Sequence, residues 1–162
     1  MKLLSIKKVA LWYLLAAVLV VVDHYTKTLA TATLAYGEPV FVTTFFNWTL
    51  LHNTGAAFSF LSDAGGWQNS FFCVVAAGVS AYIIYWLYRT PDSARWQALA
   101  LSLVLAGAAG NLYDRLMFGY VIDFIQLHYQ GYYWPAFNIA DSAITVGAVI
   151  LIVASVFGKD SA

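Results

Sequence analysis

The sequence predicts an all-α integral membrane protein, with four transmembrane helices and a small β-sheet and loop region resting on the membrane at the outer face. Three observations predict it. The chain is 62% hydrophobic and only 10% charged, whereas soluble domains carry about 25% charged residues. Apolar stretches recur along it, and a helix needs about 20 residues to cross the hydrocarbon core. Two of the connections between those stretches are rich in β-branched and aromatic residues, which favour strands. The length, 162 residues, fits a single membrane domain over 1–162.

Each element follows from its composition. The first uncharged run, Val9–Val22, holds 14 residues. It crosses only if the helix continues through "DHYTKTLA", giving a helix at about 9–29. A signal peptide is the alternative, with Lys2, Lys7 and Lys8 as a basic start and "ATA" at 30–32 as a small-residue cleavage site. The long gap containing Asp23, His24 and Lys27 favours an uncleaved helix. Val40–Leu51, "VFVTTFFNWTLL", reads as strand within an outer β-rich loop at about 36–63. The uncharged run Ala64–Tyr88 predicts a helix at about 67–88, and Trp96–Tyr113 predicts one at about 95–115. An outer loop follows at about 116–137. Its "YVIDFIQLHYQ" alternates in part, Gly131 signals a turn, and "GYYWPAF" carries aromatics suited to the headgroup level. The run Ser142–Gly158 predicts a last helix at about 138–157. Unpaired strand edges cannot face lipid, so the outer segments are expected to form a small sheet at the membrane surface.

Basic residues set the orientation. Four helices put both termini on one side, together with Lys2, Lys7, Lys8, Arg89, Arg95 and Lys159. The other side holds Lys27 and Arg115. The excess marks the cytoplasmic face, so both termini and the loop "RTPDSAR" are expected there. Net charge is zero, which offers no electrostatic case for nucleic acid. The single cysteine, Cys73, cannot form an internal disulfide and reads as a small buried hydrophobe.

Glu38, Asp63, Asp92 and Asp160 fall in solvated loops. Asp23, Asp114, Asp123 and Asp141 fall with Lys27 and Arg115 near the outer boundary, and ionisable groups at membrane depth suggest a functional site. Asp23 and Lys27 are four residues apart, which suits an ordinary helix pair as well as a site. In "GNLYDR", Asn111 can share a helix face with Asp114 or Arg115, and Asp114 beside Arg115 also reads as a plain ion pair. Gly107 and Gly110 permit close helix packing. In "FNIADSAI", Asn138 can cap the last helix and leave Asp141 at its third position, where the helix dipole favours a carboxylate. Asp123 interrupts an apolar strand-like segment.

Two carboxylates brought to one boundary cannot both ionise cheaply if they approach closely. Sharing a proton, the pair Asp123 and Asp141 can activate water with one member and donate a proton with the other. That is aspartyl peptidase chemistry. Zinc peptidase chemistry lacks an "HExxH" motif, since His24, His52 and His128 are scattered. A "GxSxG" serine elbow is absent. A small transporter or channel using the boundary carboxylates, or a purely structural subunit, are the rival readings.

"DHYTK" (23–27), "NTGAAF" (53–58), "GNLYDR" (110–115), "VIDF" (121–124) and "FNIADSAI" (137–144) resemble, in order and context, the lipoprotein signal peptidases (signal peptidase II). The resemblance spans the chain from the first helix to the last. It implies a bacterial inner-membrane aspartyl endopeptidase with its site at the outer, periplasmic face. Such an enzyme removes the signal peptide from diacylglyceryl-modified prolipoproteins, cutting just before the lipidated cysteine. By the match, Asp123 and Asp141 are the catalytic pair, while Asp23, Lys27, Asn53, Gly107, Asn111, Arg115 and Asn138 line or order the site. Gly55 belongs to a loop that can clamp substrate from above. Membrane lipid and the cyclic peptide globomycin are implied partners. No metal or organic cofactor is implied.

Overall fold

The computed structural model describes residues 6–55 and 67–157. Lys2, Asp63, Lys159, Asp160 and the 56–63 part of the outer loop lie outside the described residues. Four helices, α1 (Ile6–Thr33), α2 (Trp67–Arg89), α3 (Arg95–Phe118) and α4 (Ile139–Phe157), are joined by strands β1 (Val40–Thr43), β2 (Phe46–Asn53), β3 (Val121–Tyr129) and β4 (Tyr132–Tyr133).

α1 runs on through "DHYTKTLA" because its polar groups find partners there. The hydroxyls of Thr26, Thr28, Thr31 and Thr33 each donate to the carbonyl one turn back, and Asp23 and Lys27 turn inward, at most 2% exposed. α3 stops at Gly119, whose φ of 83° lets its N–H reach the Arg115 carbonyl at 3.1 Å. A Cβ there would touch nothing, so Gly119→Ala carries only the cost of a left-handed backbone. We expect it to lower unfolding stability by about 1 kcal/mol, measured by denaturant titration in micelles.

The strands form one antiparallel sheet in the order β1-β2-β3-β4. Leu51 faces Asp123 and Asn53 faces Val121 across β2 and β3, with an irregularity between Trp48 and Leu51. Gln130 and Gly131, both at positive φ, make the tight turn into β4, as two-residue hairpins favour. The chain then returns over β3. Phe137 accepts from the N–H groups of Phe124 and Ile125, and its own N–H donates to the Ile125 carbonyl. This short closure sets the start of α4 directly beside Asp123.

Three helical stretches, Lys8–Thr33, Trp67–Arg89 and Ile139–Val156, are long and apolar enough to cross a membrane. Leu11, Val18, Val74, Val79, Val149 and Ile152 on them are exposed, as side chains facing lipid tails would be. α3 is not among the three. It packs against α1, α2 and α4 and buries small and polar residues, including Ser102, Gly107, Gly110, Asn111 and Asp114. A helix walled by protein need not be uniformly apolar.

Glycine sets the α3–α4 approach. A Cβ on Gly107 would collide with the Ala140 carbonyl and the Ile144 side chain, and one on Gly147 would sit 2.7 Å from the Ala100 carbonyl. The interior has two ends. Val9, Ala16, Ile83, Leu87, Leu101 and Leu105 form an apolar cluster. At the end nearer the sheet a group of polar side chains is buried: Asp23, Lys27, Asn111, Asp114, Asp123 and Asn138.

Candidate active site

The polar end is built around the first turn of α4. Asn138 precedes the helix, and its Oδ1 accepts from the Asp141 N–H at 2.9 Å. Asp141 Oδ2 in turn accepts from the Asn138 N–H at 3.2 Å. This is a reciprocal capping box, with aspartate in place of the usual glutamate. The next free donor of the turn, the Ala140 N–H, is taken by Asp23 Oδ1 from α1 at 2.8 Å. Two carboxylates thus satisfy helix-start donors that would otherwise be orphaned.

Asp123 arrives from β3. It is 2% exposed and accepts from Asn138 Nδ2 at 2.8 Å and from Asn53 Nδ2 at 3.1 Å. Asn138 Nδ2 also lies 3.3 Å from Asn111 Oδ1, and Asn111 Nδ2 donates to Asp141 Oδ1 at 2.7 Å. The two carboxyls are therefore bridged by two amides. Burial, and then the nearby charge of Asp141, push the Asp123 carboxyl up to about 7 against the opposing pull of Asn53, Lys27 and Asn138. Desolvation dominates because a carboxylate removed from water disfavours its charged form.

Behind the amides sits a buried ion cluster. Lys27 Nζ lies 2.7 Å from Asp23, 2.9 Å from Asp114 and 3.0 Å from Asn111 Oδ1. Asp114 Oδ2 also accepts from the Ile122 N–H at 3.1 Å, tying α3 to β3. Asp114 thus pairs with Lys27 rather than with its neighbour Arg115, because consecutive helix residues point about 100° apart.

Arg115 points the other way. Its guanidinium donates to the Gly55 carbonyl at 3.0 Å and to the Asn111 carbonyl at 3.3 Å, and lies 5.4 Å from the Phe72 ring centre. Among the described residues its buried Nε has no partner. Gly55 donates to Asn53 Oδ1 at 3.0 Å, so Arg115 and Asn53 brace the same turn; residues 56–58 of "NTGAAF" lie outside the described residues. Gly107 stands against the α4 start. The structure places Asp23, Lys27, Asn53, Gly55, Gly107, Asn111, Arg115, Asp123, Asn138 and Asp141 at this one end.

Two apolar grooves meet at Asp141. One, of about 450 Å³, runs between the sheet and α4 past Trp134, Phe137 and Thr145. The other, of about 310 Å³, runs between α2, α3 and α4 past Phe72, Arg115 and Thr145. Sequence reasoning placed Asp114 at this boundary but offered Arg115 as its partner where the structure has Lys27, and it missed Phe72, Trp134 and Thr145 as lining. Only Thr145 had a local signal, four residues after Asp141 on the same helix face. Chemically, the site offers one carboxyl, Asp141, at the meeting point of two apolar channels, with a second, Asp123, linked to it through two amides.

The family model for signal peptidase II matches residues 15–157. The lipoprotein signal peptidase of Teredinibacter turnerae is 52% identical over 147 residues, covering 91% of this chain and 88% of that one. That of Cellvibrio japonicus is 53% identical over 141 residues, covering 87% and 83%. A solved bacterial membrane enzyme superposes with a TM-score of 0.82 at 32% identity, covering 99% of this chain and 96% of that one. A second gives 0.78 at 33% identity, with 99% and 98% covered. A match over nearly the whole chain, at about half identity to named relatives, makes this chain a member of the signal peptidase II family of membrane peptidases.

Proposed function

We propose that this chain is an aspartic endopeptidase that removes the signal peptide from diacylglyceryl-modified prolipoproteins, cutting just before the lipidated cysteine. The carrying observation is the pair Asp123 and Asp141, bridged by Asn111 and Asn138 where two apolar grooves meet. The substrate presents two apolar parts at its scissile bond, a signal helix and acyl chains. Two channels converging on Asp141 fit that shape.

Environment divides the roles. Asp141 sits in the first turn of α4, where the helix dipole favours charge, and both its oxygens accept from donors. Asp123 also accepts at both oxygens, but it lies on a strand rather than in a helix's first turn, and the nearby Asp141 charge adds to burial in raising it. Asp141 is accordingly the base that takes a proton from water, and Asp123 the acid that protonates the scissile carbonyl. The attacking oxygen bonds to the carbonyl carbon, and the resulting gem-diol collapses with proton return to the leaving amine. The unpaired Nε of Arg115, at the edge of the second groove, is a donor suited to a substrate carbonyl.

The whole chain forms one membrane domain in which all four helices, α1 to α4, cross the bilayer; α3 crosses inside the collar of the other three. The protein lies in the bacterial inner membrane with both termini cytoplasmic and the sheet and site at the periplasmic face, where a lipid-anchored cysteine sits. Globomycin would compete for the grooves.

The test is cleavage of a diacylglyceryl-modified prolipoprotein peptide in bicelles, with product masses locating the cut. Equal turnover of the unlipidated peptide would overturn the substrate. Normal turnover by Asp123→Asn or Asp141→Asn would overturn the aspartic mechanism.

A further inference from the structure

The proposed reaction leaves one buried cation without a task. Lys27 is 1% exposed, and its ammonium has three donors and three acceptors around it: Asp23 on its own helix, and Asp114 and Asn111 from α3. Two of these are charges that could satisfy it as an ion pair. The third is a neutral amide, and that amide is the one that reaches Asp141.

Resting on the peptidase reading, we propose that Lys27 is a positioning residue that fixes which end of the Asn111 amide faces Asp141. A side-chain amide has a donor end and an acceptor end of nearly equal size. An ammonium can only donate, so the group held against it must be Oδ1. That turns Nδ2 onto Asp141 Oδ1, at 2.7 Å. Asn111 Oδ1 is also the oxygen that Asn138 Nδ2 approaches at 3.3 Å. Asn138 is locked in the same manner, since its Oδ1 is occupied by the Asp141 N–H. Two amides that could each flip are held in one sense, one by a cation and one by a helix start.

The consequence lies on the base. With Lys27 present, Asp141 meets a donor and its ionised form is supported. Without it, Asn111 can turn its oxygen toward Asp141, and two acceptors then face each other unless Asp141 takes a proton. The pair would then hold two protons and have no base. The charged groups facing this region are Asp23 on α1, Asp114 and Arg115 on α3, Asp123 on β3 and Asp141 on α4. Arg115 donates to the Gly55 carbonyl and to the Asn111 backbone carbonyl.

Purified full-length Lys27→Met, assayed on the lipidated peptide in bicelles, is expected to lose about 10²-fold in kcat with KM little changed. The acidic limb of its pH–rate profile should move to higher pH. Removing the cation strands two carboxylates, so the charge-balanced double variant Lys27→Met/Asp114→Asn runs beside it; its amide still offers the Ile122 N–H an acceptor. A folded variant with the parent profile overturns the proposal. So does a lower kcat with an unmoved pH limb, or a melting profile showing that neither variant folds, since each of these assigns Lys27 a structural role only. If Asp123→Asn and Asp141→Asn are inactive while the Lys27 variant is normal, only this proposal falls. If either aspartate variant cleaves normally, the peptidase reading falls instead.

Discussion

Asp123→Asn and Asp141→Asn, made separately, should each leave a folded protein whose turnover of the lipidated peptide is lower by about 10³-fold, within the range of general acid–base effects. Asn at 141 keeps one acceptor oxygen, which can take the Asn138 N–H and preserve the capping box, while its Nδ2 replaces the oxygen that accepts from Asn111 Nδ2 and the proposed base is lost. Asn at 123 loses the proton that the acid must give. Parent activity should fall as pH rises through about 7, where Asp123 gives up its proton and the pair becomes doubly charged; the titration belongs to the pair. Stability has its own sign. The folded state holds that proton up to about 7, the unfolded chain only to about 3.9. Between those values the folded state binds more protons, so stability contributed by this group is full at low pH and is lost as pH rises. Asp123→Asn should therefore melt higher than the parent at pH 8, with the gain fading toward pH 4. An unchanged melting difference across that range would overturn the burial argument.

Much of this was legible because the informative residues are anomalies. Asp123 between Ile122 and Phe124, and Asp141 at the mouth of an uncharged run, stand out against apolar neighbours. Asn138 read as a cap, and the capping box at Asp141 is the reason. The strand composition of "VFVTTFFNWTLL" and "YVIDFIQLHYQ" also told its story, because β-branched and aromatic residues suit a pleated surface.

Partner choice was not legible. Asp23 and Lys27 announce themselves as an i,i+4 pair, but Lys27 also takes Asp114 and Asn111 from α3, 84 residues away in the case of Asn111. Local spacing carries no trace of such a contact. Asp114 and Arg115 are adjacent and opposite in charge, yet helix geometry sends them to different partners. Groove lining was hidden for another reason. In a membrane protein an apolar residue can face lipid, a neighbouring helix or a channel, and Phe72 or Trp134 looks the same in all three settings.

Gly107→Val should be the most damaging single change away from the carboxyls. α3 and α4 approach closely because Gly107 has no side chain; a Cβ there would run into the Ala140 carbonyl and Ile144. Those atoms are backbone and a packed side chain, so they cannot swing aside, and overpacking of this kind costs about 1–3 kcal/mol, occasionally more. Ala140 precedes Asp141, and its N–H is held by Asp23. Displacing it pulls the α4 start away from Asn111 and Asp123 together. We expect Gly107→Ala to lower both melting temperature and kcat, and Gly107→Val to lower them further. Gly78→Ala on α2 is the control. A Cβ there meets nothing within 4 Å, so the change should be neutral or stabilising by up to about 1 kcal/mol through helix propensity. If Gly107→Val melts and cleaves like Gly78→Ala, close α3–α4 packing does not hold the carboxyl pair together. If melting drops while kcat holds, the glycine serves assembly alone. The geometry predicts that the two fall together, because the carbonyl that Gly107 accommodates belongs to Ala140, the residue next to the proposed base Asp141.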